Sequence, residues 1–200
     1  MNPGELKERL IIQSLAQNGN MYSWNGEEGF KLWTKKEVED KKCVYSSQGQ
    51  AADLTTKFIV RYNKNITKHN SILYAGRHYA IASILDINNK HCFMEIKAAQ
   101  VTPKICEIKK RTGELGELNR PLKEPATVMT FPAYVTEKYI KYSAEYYANV
   151  AELYILITPK AVQLDVGNLV VIDNAKYNIQ AAHIMDEYRN EYEIAVNKEA

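Results

Sequence analysis

Ile72-Leu73-Tyr74-Ala75-Gly76-Arg77-His78-Tyr79-Ala80-Ile81 reads as two short strands around a two-residue turn. The flanking residues are β-branched or aromatic, types that suit a pleated, half-buried surface. Gly76 supplies the positive φ that a tight hairpin requires. Lys57-Phe58-Ile59-Val60-Arg61-Tyr62 precedes this hairpin as another strand, continuing through Ile66 to a polar pause at residues 68–71. The turn formers Asp86-Ile87-Asn88-Asn89-Lys90 follow it, and Phe93-Met94-Glu95-Ile96 closes the set. Upstream, residues 6–13 end in a β-branched pair, and Phe30 and Leu32 open an alternating stretch over residues 30–45. Residues 14–29 are polar with three glycines and read as a loop. Residues 46–56 are small and polar and read as a loop or a short helix.

The same order of elements recurs downstream. Leu153–Thr158, Val162, Leu169–Ile172, Lys176-Tyr177-Asn178-Ile179, Asp186 and Tyr192-Glu193-Ile194 follow the sequence of strand, pause, strand, turn, strand, turn and closing strand. The strongest match sets His78-Tyr79-Ala80-Ile81 against Lys176-Tyr177-Asn178-Ile179, with Asn174 where Gly76 aligns. Gly-Glu-Leu also recurs ahead of each copy, at residues 4–6 and 116–118. The expectation is mainly β: two tandem small antiparallel β-barrel or sandwich modules with few short helices. Core faces are expected at Ile59, Ile72, Tyr74, Tyr79, Ile81, Phe93 and Met94, and at Ile155, Ile157, Leu169, Val171, Tyr177, Ile179, Tyr192 and Ile194.

Residues 107–125 are charged, carry two Gly and two Pro, and read as a linker. That divides the chain into a first barrel over 4–106 and a second module over 126–200. Residues 136–150 fit a strand to about Tyr142 followed by a helical turn, since Tyr139, Tyr142, Tyr146 and Val150 keep a helical spacing.

The chain has 200 residues and a formal net charge of +2. Residues 1–100 hold 14 Lys/Arg against 10 Asp/Glu, whereas 101–200 hold 12 against 14. Short basic clusters at Lys35-Lys36, Lys41-Lys42 and Lys109-Lys110-Arg111 are mixed with acids. They suit a solvated face, and at most non-specific contact with genomic DNA. No apolar run approaches the roughly 18 residues of a membrane span, and the N-terminal residues lack the apolar core of a secretory signal. The three scattered cysteines, Cys43, Cys92 and Cys106, suit a reducing compartment.

No chemical motif survives inspection. The histidines His69, His78, His91 and His183 lack metal-ligand spacing, and His91 and Cys92 point to opposite faces of a strand. Phosphate-binding glycine motifs and a nucleophile elbow are missing. The expectation is therefore no enzyme, no cofactor, no metal and no catalytic residue.

Tyrosine is the informative residue: nine of 14 lie in the second half, five of them within residues 134–147. Tyr139, Tyr142, Tyr146 and Tyr147, with Trp24, are candidate interface residues, because Tyr and Trp offer large contact area at low entropy cost. Packing of these tyrosines into the module's own core is the competing account.

Residues 4–98 resemble the phage head–tail joining, or head-closure (stopper), family. The resemblance rests on Leu6-Lys7-Glu8-Arg9-Leu10-Ile11-Ile12-Gln13, on the turn and aromatic-led strand from Asn25 to Trp33, and on a strand with an Arg, Phe58-Ile59-Val60-Arg61. It is completed by the hairpin Tyr74–Ile81 and the closing strand Cys92–Lys97. The resemblance implies a structural virion protein of the neck: small β-barrels forming a ring between portal or adaptor and tail, lining or sealing the DNA channel. It implies portal, adaptor and tail proteins as partners, no membrane, and residence in the virion after assembly in the host cytoplasm. The family's variable loop falls here on Ser46, Ser47, Gln48, Gly49, Gln50 and Asp53, the candidate channel-facing residues. The second module departs from typical members and leaves room for a collar or tail component of a phage-like particle. A carbohydrate- or ligand-binding β module, stacking on Trp24, Trp33 and Tyr146, is the rival of a different class.

Overall fold

The computed structural model describes residues 3–39, 43–44, 51–52, 55–110, 126–137, 153–184 and 186–197. They form two compact units, one of residues 1–16 and 23–102, the other of residues 17–22 and 103–200.

The first half of the chain runs through β1 (Glu8–Gln13), β2 (Leu15–Asn18), β3 (Met21–Trp24), β4 (Phe30–Glu39), β5 (Cys43–Val44), β6 (Ala51–Ala52), β7 (Thr55–Arg61), β8 (Ser71–Tyr74), β9 (Arg77–Asp86) and β10 (Phe93–Val101). Six of these close a barrel in the order β1-β4-β7-β10-β9-β8, antiparallel at every seam. Closure leaves no strand edge in the ring, which satisfies the ladder's N–H and C=O groups internally. Strand alternation then puts Leu10, Ile12, Phe58, Val60, Ile72, Tyr79, Ile81, Met94 and Ile96 inside. Phe58 meets Tyr79 edge-on at a centroid separation of 5.3 Å.

The second half runs through β11 (Lys104–Lys110), β12 (Ala126–Glu137), β13 (Leu153–Pro159), β14 (Leu169–Ile172), β15 (Ala175–Ile184) and β16 (Arg189–Val196). These close in the order β11-β12-β13-β16-β15-β14, again antiparallel throughout. Numbered by position in each unit, both rings read 1-2-3-6-5-4. The core gathers Cys106, Ile108, Phe131, Ala133, Leu156, Val170, Ile172, Ile179, Tyr192 and Ile194.

The two barrels share details that topology alone does not demand. Each joins its fourth and fifth strands by a two-residue turn with both φ positive: Ala75 and Gly76 at 49° and 74°, Asp173 and Asn174 at 49° and 68°. Each has one extra residue on its fifth strand, at the position after the matched isoleucine. Ala98 faces Ile81 but Lys97 faces Ser83, and Ile179 faces Ile194 while Ala181 faces Glu193. Each also buries, in the connection from third to fourth strand, an aliphatic residue whose amide is bonded three residues back: Ile66 to Asn63 at 3.1 Å, Val162 to Pro159 at 2.9 Å.

Several expectations change. Residues 14–29 hold the hairpin β2–β3 and a short 3-10 turn, Gly26–Glu28, rather than a loop alone. The linker does not begin at residue 107, because Lys104–Lys110 is a strand paired to both β12 and β14. The first unit is not one contiguous stretch either: residues 17–22 belong to the second. There Met21 pairs in parallel with Thr130, whose amide donates to the Asn20 carbonyl at 3.0 Å, and Tyr22 packs on the second core. The cause lies in strand length. β12 has 12 residues, but β13 pairs only with Tyr134–Glu137, so the earlier edge needs another partner. Leu169 and Val171 alternate with the buried Val170 and Ile172 and are only half-buried, which corrects those two core assignments, whereas Ile59 is buried as expected. The strand expected to about Tyr142 is described only to Glu137, and the helical turn after it lies outside the described residues.

Candidate assembly surface

Apart from Trp24, which lies on β3, both sets of sequence candidates fall in the same topological connection, that between the second and third strands of a barrel. The second and third strands of the first barrel pair out to Glu39 opposite Thr55, and those of the second to Glu137 opposite Tyr154. Ser46, Ser47, Gln48, Gly49, Gln50 and Asp53 fall in the first of these connections, Tyr139, Tyr142, Tyr146 and Tyr147 in the second. All ten lie outside the described residues. Beyond Glu39 and Thr55, a short ribbon sets Cys43 opposite Ala52 and Val44 opposite Ala51, so residues 45–50 join its two strands.

Trp24 is half-buried, and its indole N–H is enclosed without a hydrogen-bond partner among the described residues. Trp33 is the more available ring. It stands on the outer face of β4, 51% exposed, and Phe30 is 52% exposed at the start of the same strand. Arg9 faces Trp33 across the β1–β4 ladder, with its guanidinium carbon 4.5 Å from the ring centroid. An exposed aromatic held rigid by a stacked arginine has the composition of an interface anchor. Lys36 covers the Tyr74 ring at 4.9 Å, and the Tyr74 hydroxyl donates to the Glu8 carboxylate. That hydrogen bond, with burial, pushes the Tyr74 phenol up to about 12.

Beside this aromatic strip runs a chain of alternating charges. Lys35 bonds Glu5 at 3.3 Å and Glu37 at 3.0 Å; Lys57 bonds Glu37 at 3.0 Å and Glu95 at 3.5 Å; Lys97 lies 3.9 Å from Glu95. Apart from Glu5, which lies in the 3-10 turn Pro3–Glu5, the residues come from β4, β7 and β10, so the chain crosses three strands. The Lys57 ammonium, then Lys35, holds the Glu37 carboxyl below its ordinary value, and the same bonds raise Lys35 and Lys57. Lys35, Lys36, Glu37 and their neighbours have the local sequence of a solvated face; the cross-strand partners Lys57 and Glu95 come from distant positions and carry no local signal.

Among the described residues no three His, Cys, Asp or Glu side chains gather as a metal site. Burial lowers the His78 imidazole, which favours its neutral form, and pushes the Cys106 thiol up to about 12, so that the thiol stays protonated near neutral pH. His91 pairs with Asp86 at 2.6 Å in the turn after β9, where Asp86 also accepts the His91 amide. This pair orders the turn.

No curated protein matches the chain. The family of phage head completion proteins matches over residues 1–101, a span that ends with the last strand of the first barrel. With half of the chain matched, and with the first barrel carrying every piece on which the sequence resemblance rested, the chain belongs to the phage head completion protein family.

Proposed function

We propose that the protein is a structural component of the phage neck. It assembles as a ring between portal or adaptor and tail, lines or seals the DNA channel, and performs no covalent chemistry. It would be made in the host cytoplasm and retained in the virion. The observation that carries this reading is the family match over residues 1–101, which coincides with a complete closed barrel. The surface of that barrel supports it: Trp33 and Phe30 are large apolar groups left in water, beside Arg9 and Lys31. Burying two such rings against a partner would recover on the order of 2–3 kcal/mol each. The connections containing residues 46–53 and 139–147 are the proposed contact elements toward channel and neighbours. The test mixes the purified chain with the portal, adaptor and tail proteins of the same genome and images the product by electron microscopy. Rings seated on the portal are expected. A chain that stays monomeric with every partner would refute the reading.

A further inference from the structure

We propose that the second barrel carries a binding cleft for a phosphate-type oxyanion, formed by Lys109, Lys110, Gly167, Asn168, Asn178 and Asn197. These residues line one cleft, at the end of β11, the start of β14, the middle of β15 and the end of β16. Among the described residues the lining holds two ammonium groups and three carboxamides and no carboxylate. Among the described residues neither Lys109 nor Lys110 forms an ion pair. Other lysines on these barrels are neutralised: Lys35, Lys57 and Lys97 in the charge chain, Lys104 by Asp173 at 2.7 Å. The concentration of positive charge is local, in a unit whose net balance is −2.

Neighbouring residues on a strand normally point to opposite faces. Here the ladder slips between Ile108, opposite Met129, and Lys109, opposite Thr127. Bulges of this kind re-aim side chains, and both lysines reach the same cleft. Gly167, with φ +87°, leaves the wall open: a Cβ there would meet nothing within 4 Å. The nearest acid on β11, Glu107, accepts from the Thr127 hydroxyl at 3.1 Å.

The first barrel supplies an internal control. Strand register equates Gln13 with Lys109, Ser14 with Lys110, Asn70 with Asn168 and Ala80 with Asn178. In the first barrel the Asn70 amide donates to the Gln13 carbonyl at 3.3 Å and to the Ser14 hydroxyl at 3.2 Å, which ties this corner shut. In the second barrel the asparagine is kept as Asn168 and lysines stand at the Gln13 and Ser14 positions; the backbone carbonyl of the first is common to both barrels, the Ser14 hydroxyl has no counterpart, and the corner is an open cleft. A fold that closes this corner with neutral residues in one copy and lines it with cations in the other has changed its chemistry there. Ammonium and carboxamide N–H groups together are donors suited to a phosphate oxygen.

The cleft's chemistry stands independently of the neck assignment. The phosphate can come from a free anion or from a nucleic-acid backbone, and the experiment separates them. Full-length 15N-labelled protein is titrated with inorganic phosphate, with a short DNA duplex and with polyglutamate, and compared with Lys109→Gln/Lys110→Gln. Thermal unfolding checks that the variant is folded. The amides of Gly167, Asn168 and Asn178 are expected to shift with phosphate or DNA, and the double variant to bind about tenfold or more weakly. If DNA is the source, affinity falls with salt, and the variant lowers the log–log slope by about 2. If phosphate shifts these amides and DNA adds no affinity, the site takes a free anion. No shift with either ligand, a folded variant that binds as well as the parent, or tighter binding of polyglutamate than of both phosphates would overturn the proposal.

Discussion

Gly76 and Asn174 occupy the second position of the same turn in two barrels, with φ of +74° and +68°. Only glycine reaches this region freely, and asparagine tolerates it better than other side chains. Gly76→Ala should therefore lower the stability of the first barrel by about 1 kcal/mol, and Asn174→Ala that of the second by a similar amount. Both tryptophans, Trp24 and Trp33, lie in the first unit, so urea denaturation followed by their fluorescence reports that barrel. Gly76→Ala should move the fluorescence transition and Asn174→Ala should not. Equal effects of both variants on fluorescence would show that the units unfold as one.

The second prediction concerns pH. Lys57 and Lys35 hold the Glu37 carboxyl below its ordinary value in the folded protein. A carboxyl depressed on folding stabilises above its unfolded pKa, and that contribution is lost as pH falls through the folded value. The Glu37→Gln variant should lack this component of acid sensitivity below about pH 4.5. Because the chain of charges is solvent-facing, the effect at neutral pH should stay under about 1 kcal/mol and shrink in high salt. Parallel stability curves for parent and variant between pH 3 and 7 would contradict the assignment.

A third prediction separates the thiols. Cys92 is exposed, whereas Cys106 is buried with its thiol pushed up to about 12. In a Cys43→Ser background, an aromatic disulfide reagent at pH 8 should react with one thiol of the native protein. The second should react only after unfolding. Two fast equivalents in the native protein would mean that β11 does not bury Cys106.

The fourth tests two placements in the second barrel. Ile108 is 2% exposed and Ile105 is 61% exposed on the same strand. Ile108→Ala should cost about 2–4 kcal/mol and Ile105→Ala less than about 0.5 kcal/mol, read by circular dichroism. Tyr22→Ala, although early in the chain, should weaken the second barrel, because Tyr22 packs on that core.

What was legible in the sequence follows from local signals. The hairpin 72–81 and its counterpart at 170–179 are matched residue for residue by the ladders, because a two-residue turn fixes register within a few positions. The third and sixth strands are matched with an offset of two: register equates Phe58 with Leu156 and Ile96 with Tyr192, whereas aligning the strand starts Lys57 and Leu153 and the closing Ile96 and Ile194 would set Phe58 against Tyr154 and Ile96 against Ile194. An offset of two keeps every side chain on its face, so hydrophobic alternation cannot detect it. The hairpin at residues 15–24 was missed because its residues are mostly exposed and show no buried face. β11 was missed because Glu107, Lys109 and Lys110 outweighed the alternating Cys106 and Ile108. The oxyanion cleft gathers β11, β14 and β15, positions separated by some 70 residues in sequence, and only pairing brings them together. The family, by contrast, was readable from the order of strands and turns over residues 4–98, and the match to residues 1–101 agrees.

The central claim is that this chain is a structural joint of the phage neck. Its most direct measurement is cross-linking mass spectrometry and electron microscopy of the full chain mixed with its genome's portal, adaptor and tail proteins, beside the Trp33→Ala variant. The account predicts a ring-shaped complex on the portal, with cross-links from residues 40–54, and weaker assembly of the variant while its barrel stays folded. A parent chain that forms no complex with any of these partners would contradict it.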